Sequence, residues 1–266
     1  YINIQAKTIS VFENINAEVA NSTNYSTIHL HGDSVTLDNA VVSATFFGVD
    51  ADNGMIKLNN ATRVIGPVGF GYGSGYTYLI ASGGIHQAPD STVKNLSVSG
   101  SYSLSLQSGG EINLAGANNN LGRIAISTTN GASATVKNRG VLTIVDINTG
   151  TGNVTINNTG ATTIAAGRNG YPSITANSFT LNNTDGVVTQ ETLTQSNRAV
   201  SFQIGVYYQT REATINLLGS STLQAPANFK FLNNYSSIAG NGPDEGFLVD
   251  SPDHPERNLF LYSTGY

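Results

Sequence analysis

The stretch Gly122-Arg123-Ile124-Ala125-Ile126-Ser127 returns, with drift, as Gly152-Asn153-Val154-Thr155-Ile156-Asn157. In the same way Gly140-Val141-Leu142-Thr143-Ile144 returns as Gly160-Ala161-Thr162-Thr163-Ile164. Apolar side chains at every second position fall on one face of a strand, and the polar ones fall on the other. Runs of this kind extend outward along the chain: Ile2–Ala6, Ser34–Leu37, Met55–Leu58, Leu96–Val98, Leu104–Leu106 and Ile112–Leu114. Most are followed within three residues by Gly, Asn or Asp, residues that take left-handed or Asx turns and bend the chain. Strands this short do not hold as lone hairpins. They gain partners when each lies against its equivalent one coil above and one below. Drifting repeats of roughly 20 to 30 residues are the signature of such coils. A seven-stranded sandwich also has many short strands, but the recurring unit of glycine followed by alternating apolar residues favours the solenoid. No segment keeps apolar residues at helical spacing, and the strands follow one another too closely for helical crossovers. The expected fold is therefore all-β, a right-handed parallel β-helix with extrahelical loop or hairpin insertions.

Composition agrees. Only 11% of residues are charged and the net charge is −5, so solubility rests on the abundant Asn, Ser and Thr. In a solenoid like residues stack on like, which favours amide and hydroxyl ladders and disfavours stacked charge. The mild acidity and the lack of any Lys/Arg run leave no electrostatic footprint for nucleic acid. No apolar run approaches the roughly 18 residues of a membrane-spanning helix. Cysteine is absent, which suits a protein threaded unfolded through an outer membrane, where stray disulfides would block passage. The chain starts at Tyr1 without a signal peptide, and we read it as a fragment whose export signal lies elsewhere.

The rhythm breaks in three places. Residues 63–90 are rich in Gly and Tyr and read as an insertion within the β-helix coils of residues 1–196. Residues 197–266 read as a continuation with a protruding hairpin and a loop-rich end. Val200–Tyr208 and Glu212–Leu218 are the expected hairpin arms, joined at Gln209-Thr210-Arg211, with longer strands within a coil as the other reading. Beyond residue 225 prolines multiply among Phe and Tyr, which fits a cap or the start of another module.

Several segments resemble the coils of filamentous haemagglutinin-type exoproteins. They are Ile2-Asn3-Ile4-Gln5-Ala6-Lys7-Thr8-Ile9 with Asn16-Ala17, the run from Gly152 to Ala165, and Ile174-Thr175-Ala176-Asn177-Ser178-Phe179-Thr180-Leu181. The resemblance is one of repeat style over about two thirds of the chain. It implies two-partner secretion through an outer-membrane partner, a place on the exterior of a Gram-negative bacterium, and adhesion to a host-cell glycan or receptor. It supplies no catalytic motif. Its high-molecular-weight adhesin branch further implies hexosylation at Asn-x-Ser/Thr sequons, here Asn21, Asn24, Asn60, Asn95, Asn153, Asn157, Asn182 and Asn234. A chain this rich in Asn, Ser and Thr also yields sequons by chance.

Binding is expected at aromatic side chains on protruding loops, which offer large area at low entropic cost. Tyr72, Tyr76 and Tyr78 among the glycines are the first candidates, with Tyr207, Tyr208 and Arg211 second; Arg211 suits an acidic sugar. The competing reading folds the tyrosines back over the solenoid flank. Candidates for chemistry are thinner. Asp50-Ala51-Asp52 sets two carboxylates on one side of a strand, though a turn before Asn53-Gly54 explains it more simply. His29-x-His31 offers two imidazoles on one face with no third metal ligand nearby. Asp244, Glu245, Asp250, Asp253, His254 and Glu256 form an acidic stretch that reads as a solvated loop. No cofactor and no metal are expected. Two alternatives remain beside the adhesin: a polysaccharide-cleaving β-helix enzyme, and a spacer in a long surface fibre.

Overall fold

A computed structural model describes residues 1–13, 15–16, 27–38, 40–44, 46–59, 62–65, 76–88, 96–99, 103–166, 173–191, 193–197, 200–204, 208–224, 248–250 and 259–260. Among the described residues there is no helix, and nearly all strand pairs are parallel. The chain is all-β with the architecture of a parallel β-helix.

Its coils follow one another in sequence. The first holds β1 (Ile2–Gln5), β2 (Thr8–Val11) and β3 (Ile15–Asn16). Next come β4 (Thr27–Gly32), β5 (Ser34–Leu37) and β6 (Val41–Ser43), then β7 (Phe46–Ala51), β8 (Met55–Leu58) and β9 (Thr62–Ile65). The fourth is β10 (Tyr76–Ala81), β11 (Gly84–Gln87) and β12 (Leu96–Ser99). Three coils without a third strand follow: β13 (Ser103–Ser108) with β14 (Ile112–Asn119), β15 (Gly122–Thr128) with β16 (Ala134–Arg139), and β17 (Leu142–Asn148) with β18 (Asn153–Thr159). Then β19 (Thr162–Ile164) and β20 (Ile174–Thr175) lead to β21 (Ser178–Thr184). After β22 (Val187–Gln190) come β23 (Leu193–Asn197), β24 (Val200–Ile204), β25 (Tyr208–Gln209) and β26 (Glu212–Leu218). The last elements are β27 (Thr222–Gln224), β28 (Leu248–Asp250) and β29 (Leu259–Phe260).

The first strands of the coils stack into one long sheet, from β1 through β4, β7, β10, β13, β15, β17, β19 and β22 to β27. The second strands stack into another, from β2 to β26, which β28 continues in parallel and β29 closes antiparallel. The third strands, β3, β6, β9 and β12, make a short sheet beside the early coils. Where the coils are most regular, Leu104, Ile124, Ile144 and Ile164 are successive register partners. That 20-residue step is the one between Gly140–Ile144 and Gly160–Ile164, whereas the likeness of Gly122–Ser127 to Gly152–Asn157 relates β15 of the first sheet to β18 of the second and is not a coil repeat.

The core lies between the sheets as columns of like side chains. Ile9, Val35, Ile56, Ile85 and Ile112 form one column, and Val136, Ile156, Leu181 and Ile215 form part of another. All are buried. Fully burying each such side chain contributes about 1.5–3 kcal/mol. Phe47 and Phe179 are the largest fully buried side chains.

The asparagines do more than coat the surface. One ladder is internal: Asn138 Nδ2 donates to Asn158 Oδ1 at 2.8 Å, and Asn158 Nδ2 donates to Thr162 Oγ1 at 2.8 Å. Thr162 Oγ1 donates in turn to Asn183 Oδ1 at 2.6 Å. These residues are all buried at the bend that follows the second sheet. They satisfy backbone groups that a closing turn leaves without strand partners, as where the Leu121 N–H donates to Asn138 Oδ1. A second ladder is outside: Asn182 Nδ2 donates to Asn157 Oδ1, and Asn216 Nδ2 donates to Asn182 Oδ1.

Two expectations need correction. The 63–90 segment is not an insertion throughout, because β10 pairs in register with β7 below and β13 above, and β11 pairs with β8. Its centre, 66–75, lies outside the described residues. The hairpin has different arms, and for Glu212–Leu218 the other reading, a longer strand within a coil, is the one that holds. β23 and β24 are its antiparallel strands, inserted between β22 and β25. Tyr208–Gln209 and Glu212–Leu218 are ordinary coil strands, and Gln209-Thr210-Arg211 is the corner between the two sheets.

Candidate functional site

The outward face of the first sheet is built in rows, one residue per coil. One row runs Asn3, His29, Gly48, Tyr78, Ser105, Ala125. The adjacent row runs Gln5, His31, Asp50, Ile80, Gln107, Ser127. Strand alternation points the residues of both rows away from the core.

Two imidazole–carboxylate pairs bridge β4 to the next coil. His29 Nε2 lies 2.5 Å from Asp50 Oδ2, and His31 Nε2 lies 2.5 Å from Asp52 Oδ2. A carboxylate only accepts, so each imidazole donates through Nε2–H. Both pairs are diagonal: His29 faces Gly48 in register and His31 faces Asp50, so each side chain leans two positions along the strand. The first pair is mostly covered, with both side chains 22% exposed, while Asp52 is 55% exposed. Asp52 holds the His31 imidazole above its ordinary pKa, first by this hydrogen bond and then by its charge, with a further contribution from Asp50.

Tyr78 completes the cluster. Its ring lies over Gly48, where any side chain would overlap it, and its centroid stands 6.1 Å from that of His29. The rings of His29 and His31 are 5.9 Å apart. Burial raises the pKa of the phenol, and the negative charge of Asp50 adds to the effect. Sequence reading took His29-x-His31 and Asp50-x-Asp52 as separate candidates. The fold joins them through the register of β4 on β7, which neither motif shows by itself. Both Nε2 atoms are committed to carboxylates, and among the described residues no group of three His, Cys, Asp or Glu could hold a metal.

A groove continues upward from Asp52 along the corner between the two sheets. Its lining passes from Asp52 through Ile80 and Ser82 to Gln107 and Gly109, then to Ser127 and Asn130. Backbone hydrogen bonds run across this corner from coil to coil, from Asp52 N–H to Gly32 O, from Ser82 N–H to Ala51 O, and from Gly109 N–H to Ala81 O. The groove floor is therefore fixed by the coil stack itself. Gly109 keeps the corner bare, since a Cβ there would run into the Ser82 carbonyl.

Of the residues singled out in sequence, Tyr78 is in the cluster. Tyr76 lies on the same strand, in register with Phe46 and Ser103. Tyr208 is on β25, in register with Ile174. Arg211 is exposed at the corner before β26, its N–H donating to Asn177 O at 3.0 Å, many coils from Tyr78. Tyr72 and Tyr207 lie outside the described residues. So do Asn21, Asn24, Asn60, Asn95 and Asn234, and all of the acidic stretch except the backbone of Asp250. The sequons at Asn153, Asn157 and Asn182 fall on β18 and β21. Asn182 donates its amide to the outer ladder, whereas Asn153 is exposed and its Oδ1 accepts from Asn177 and Ser178.

No family model, curated protein or solved structure matches the chain. Among the described residues no helix is long and apolar enough to cross a membrane.

Proposed function

We propose that this chain is a segment of a secreted bacterial surface adhesin, a stiff β-helical rod that holds a host-cell glycan or receptor against the outward face of its first sheet. The observation that carries this reading is the Tyr78–His29–Asp50 cluster with its neighbour pair His31–Asp52. It sets an aromatic ring and polar groups side by side on a rigid sheet, and its Asp52 also lines the corner groove. Fixed side chains of this kind bind without an ordering cost, and many weak contacts along a rod add through multivalency. Secretion by the two-partner route to the exterior of a Gram-negative outer membrane is what the resemblance to filamentous haemagglutinin-type coils implies. The absence of cysteine fits that route.

The test is a glycan array and a host-cell binding assay with the purified chain and its Tyr78→Ala variant. The reading expects selective binding that the variant loses while remaining folded. Absence of binding to every glycan and every cell type would instead favour the spacer.

A further inference from the structure

We infer that the ligand of this face is a linear, neutral or amine-bearing oligosaccharide lying along the solenoid axis in the corner groove from Asp52 to Asn130, and that anionic sugars are excluded. The inference rests on the glycan-binding reading above and narrows it to one class and one orientation.

Orientation follows from the coil stack. The groove crosses four successive coils: Asp52 and Ser82 stand just past β7 and β10, and Gln107 and Ser127 stand near the ends of β13 and β15. Coils in hydrogen-bonded register rise about 4.8 Å apiece, so three steps span about 14 Å. That length suits a short chain of sugar rings rather than a single one. Along the axis the groove repeats similar hydroxyl and amide groups. Across the axis it is bounded by the two sheets.

Class follows from the lining. Gln107, Ser127 and Asn130 are exposed or half-exposed donors and acceptors for sugar hydroxyls. Ile80, half-buried between Asp50 and Gln107 in its row, offers an apolar patch for the C–H face of a ring. Asp52 is the one ionised side chain among the lining residues, and neither Lys nor Arg is among them. Its second neighbour in the cluster, Asp50, is also a carboxylate, and each carboxylate spends one oxygen on its imidazole. A carboxylate or sulfate on the ligand would meet the Asp52 carboxylate, and the imidazole beside it, His31, is already paired to that carboxylate; such a mismatch discriminates more sharply than a missing contact. A protonated amine would find a partner in Asp52. Arg211, the residue that would favour an acidic sugar, is far along the rod.

The experiment is calorimetric titration of the whole chain with oligosaccharides of matched length: a neutral series, a series bearing free amines and a uronic acid series. Neutral and amine-bearing oligomers should bind, and uronic acid oligomers should bind at least about tenfold more weakly. Gln107→Ala should weaken neutral binding by about threefold to tenfold. Ser127→Arg should block the neutral series and improve the uronic acid series. Asp52→Asn should weaken only the amine-bearing series. Gln107 and Ser127 face solvent, so these variants keep the fold, which circular dichroism verifies. Binding confined to the uronic acid series, or binding indifferent to all three substitutions, would overturn this inference and leave glycan binding intact. Binding to a deglycosylated host protein with none to any oligosaccharide would overturn both.

Discussion

The ring of Tyr78 occupies the space that a side chain on Gly48, its register partner one coil below, would need. The two residues are thus a matched pair, a large ring and a missing Cβ. Gly48→Ala should push the ring off His29 or strain the strand, at a cost of about 1–3 kcal/mol in the manner of an overpacked site. Urea unfolding reads the cost, and binding to the array ligand should fall with it.

The internal amide ladder predicts an asymmetry among asparagines. Asn158 accepts from Asn138 and donates to Thr162 while buried. Asn158→Ala strands those partners away from water and should cost about 1–3 kcal/mol. Asn182→Ala removes a rung of the outer ladder, where water substitutes, and should cost under about 1 kcal/mol. Equal losses for the two variants in chemical denaturation would contradict the distinction between the ladders.

Stability should also respond to pH through His31. Its folded-state pKa is raised above the ordinary 6.5 by Asp52. A raised pKa means that the folded state holds the proton more tightly than the unfolded chain. The stabilisation is therefore complete below about pH 6.5 and is lost as pH rises through the higher folded value. The thermal midpoint should be slightly higher at pH 6 than at pH 8.5. The difference should shrink in His31→Gln and in Asp52→Asn, as differential scanning fluorimetry will show. Both groups are solvent-exposed, so the effect is small and weakens with salt.

Legibility in the sequence followed coil regularity. Ile124, Ile144 and Ile164 stand 20 residues apart, so the coil step of residues 122–164 was legible, but the match of Gly122–Ser127 to Gly152–Asn157 equated a strand of the first sheet with one of the second, because both sheets share the same alternation. In the early coils the step varies: Thr27 pairs with Phe46, and Phe46 pairs with Tyr76. That irregularity, together with the glycines around Tyr72, concealed the fact that Tyr76–Ala81 is a coil strand. The hairpin was anticipated but placed too late. The alternation of Val200–Tyr208 runs on past the end of β24, and the polar Gln209-Thr210-Arg211 turn is equally suited to a hairpin or a solenoid corner. The His29–Asp50 and His31–Asp52 pairs depend on register between coils, which no local pattern encodes. The burial of half the asparagine ladder was hidden for a related reason: a polar residue at a bend looks exposed until its neighbours above and below are known.

The most direct test of the central claim is hydroxyl-radical footprinting of the whole chain, with and without a mixture of glycans released from host cells. A binding face on the first sheet predicts protection of Tyr78, His29 and Ile80 on adding the glycans, with Phe12 and Val141, both exposed elsewhere, unchanged. Protection confined to the second sheet or to the chain's last segment, with Tyr78 and His29 as reactive as before, would contradict it.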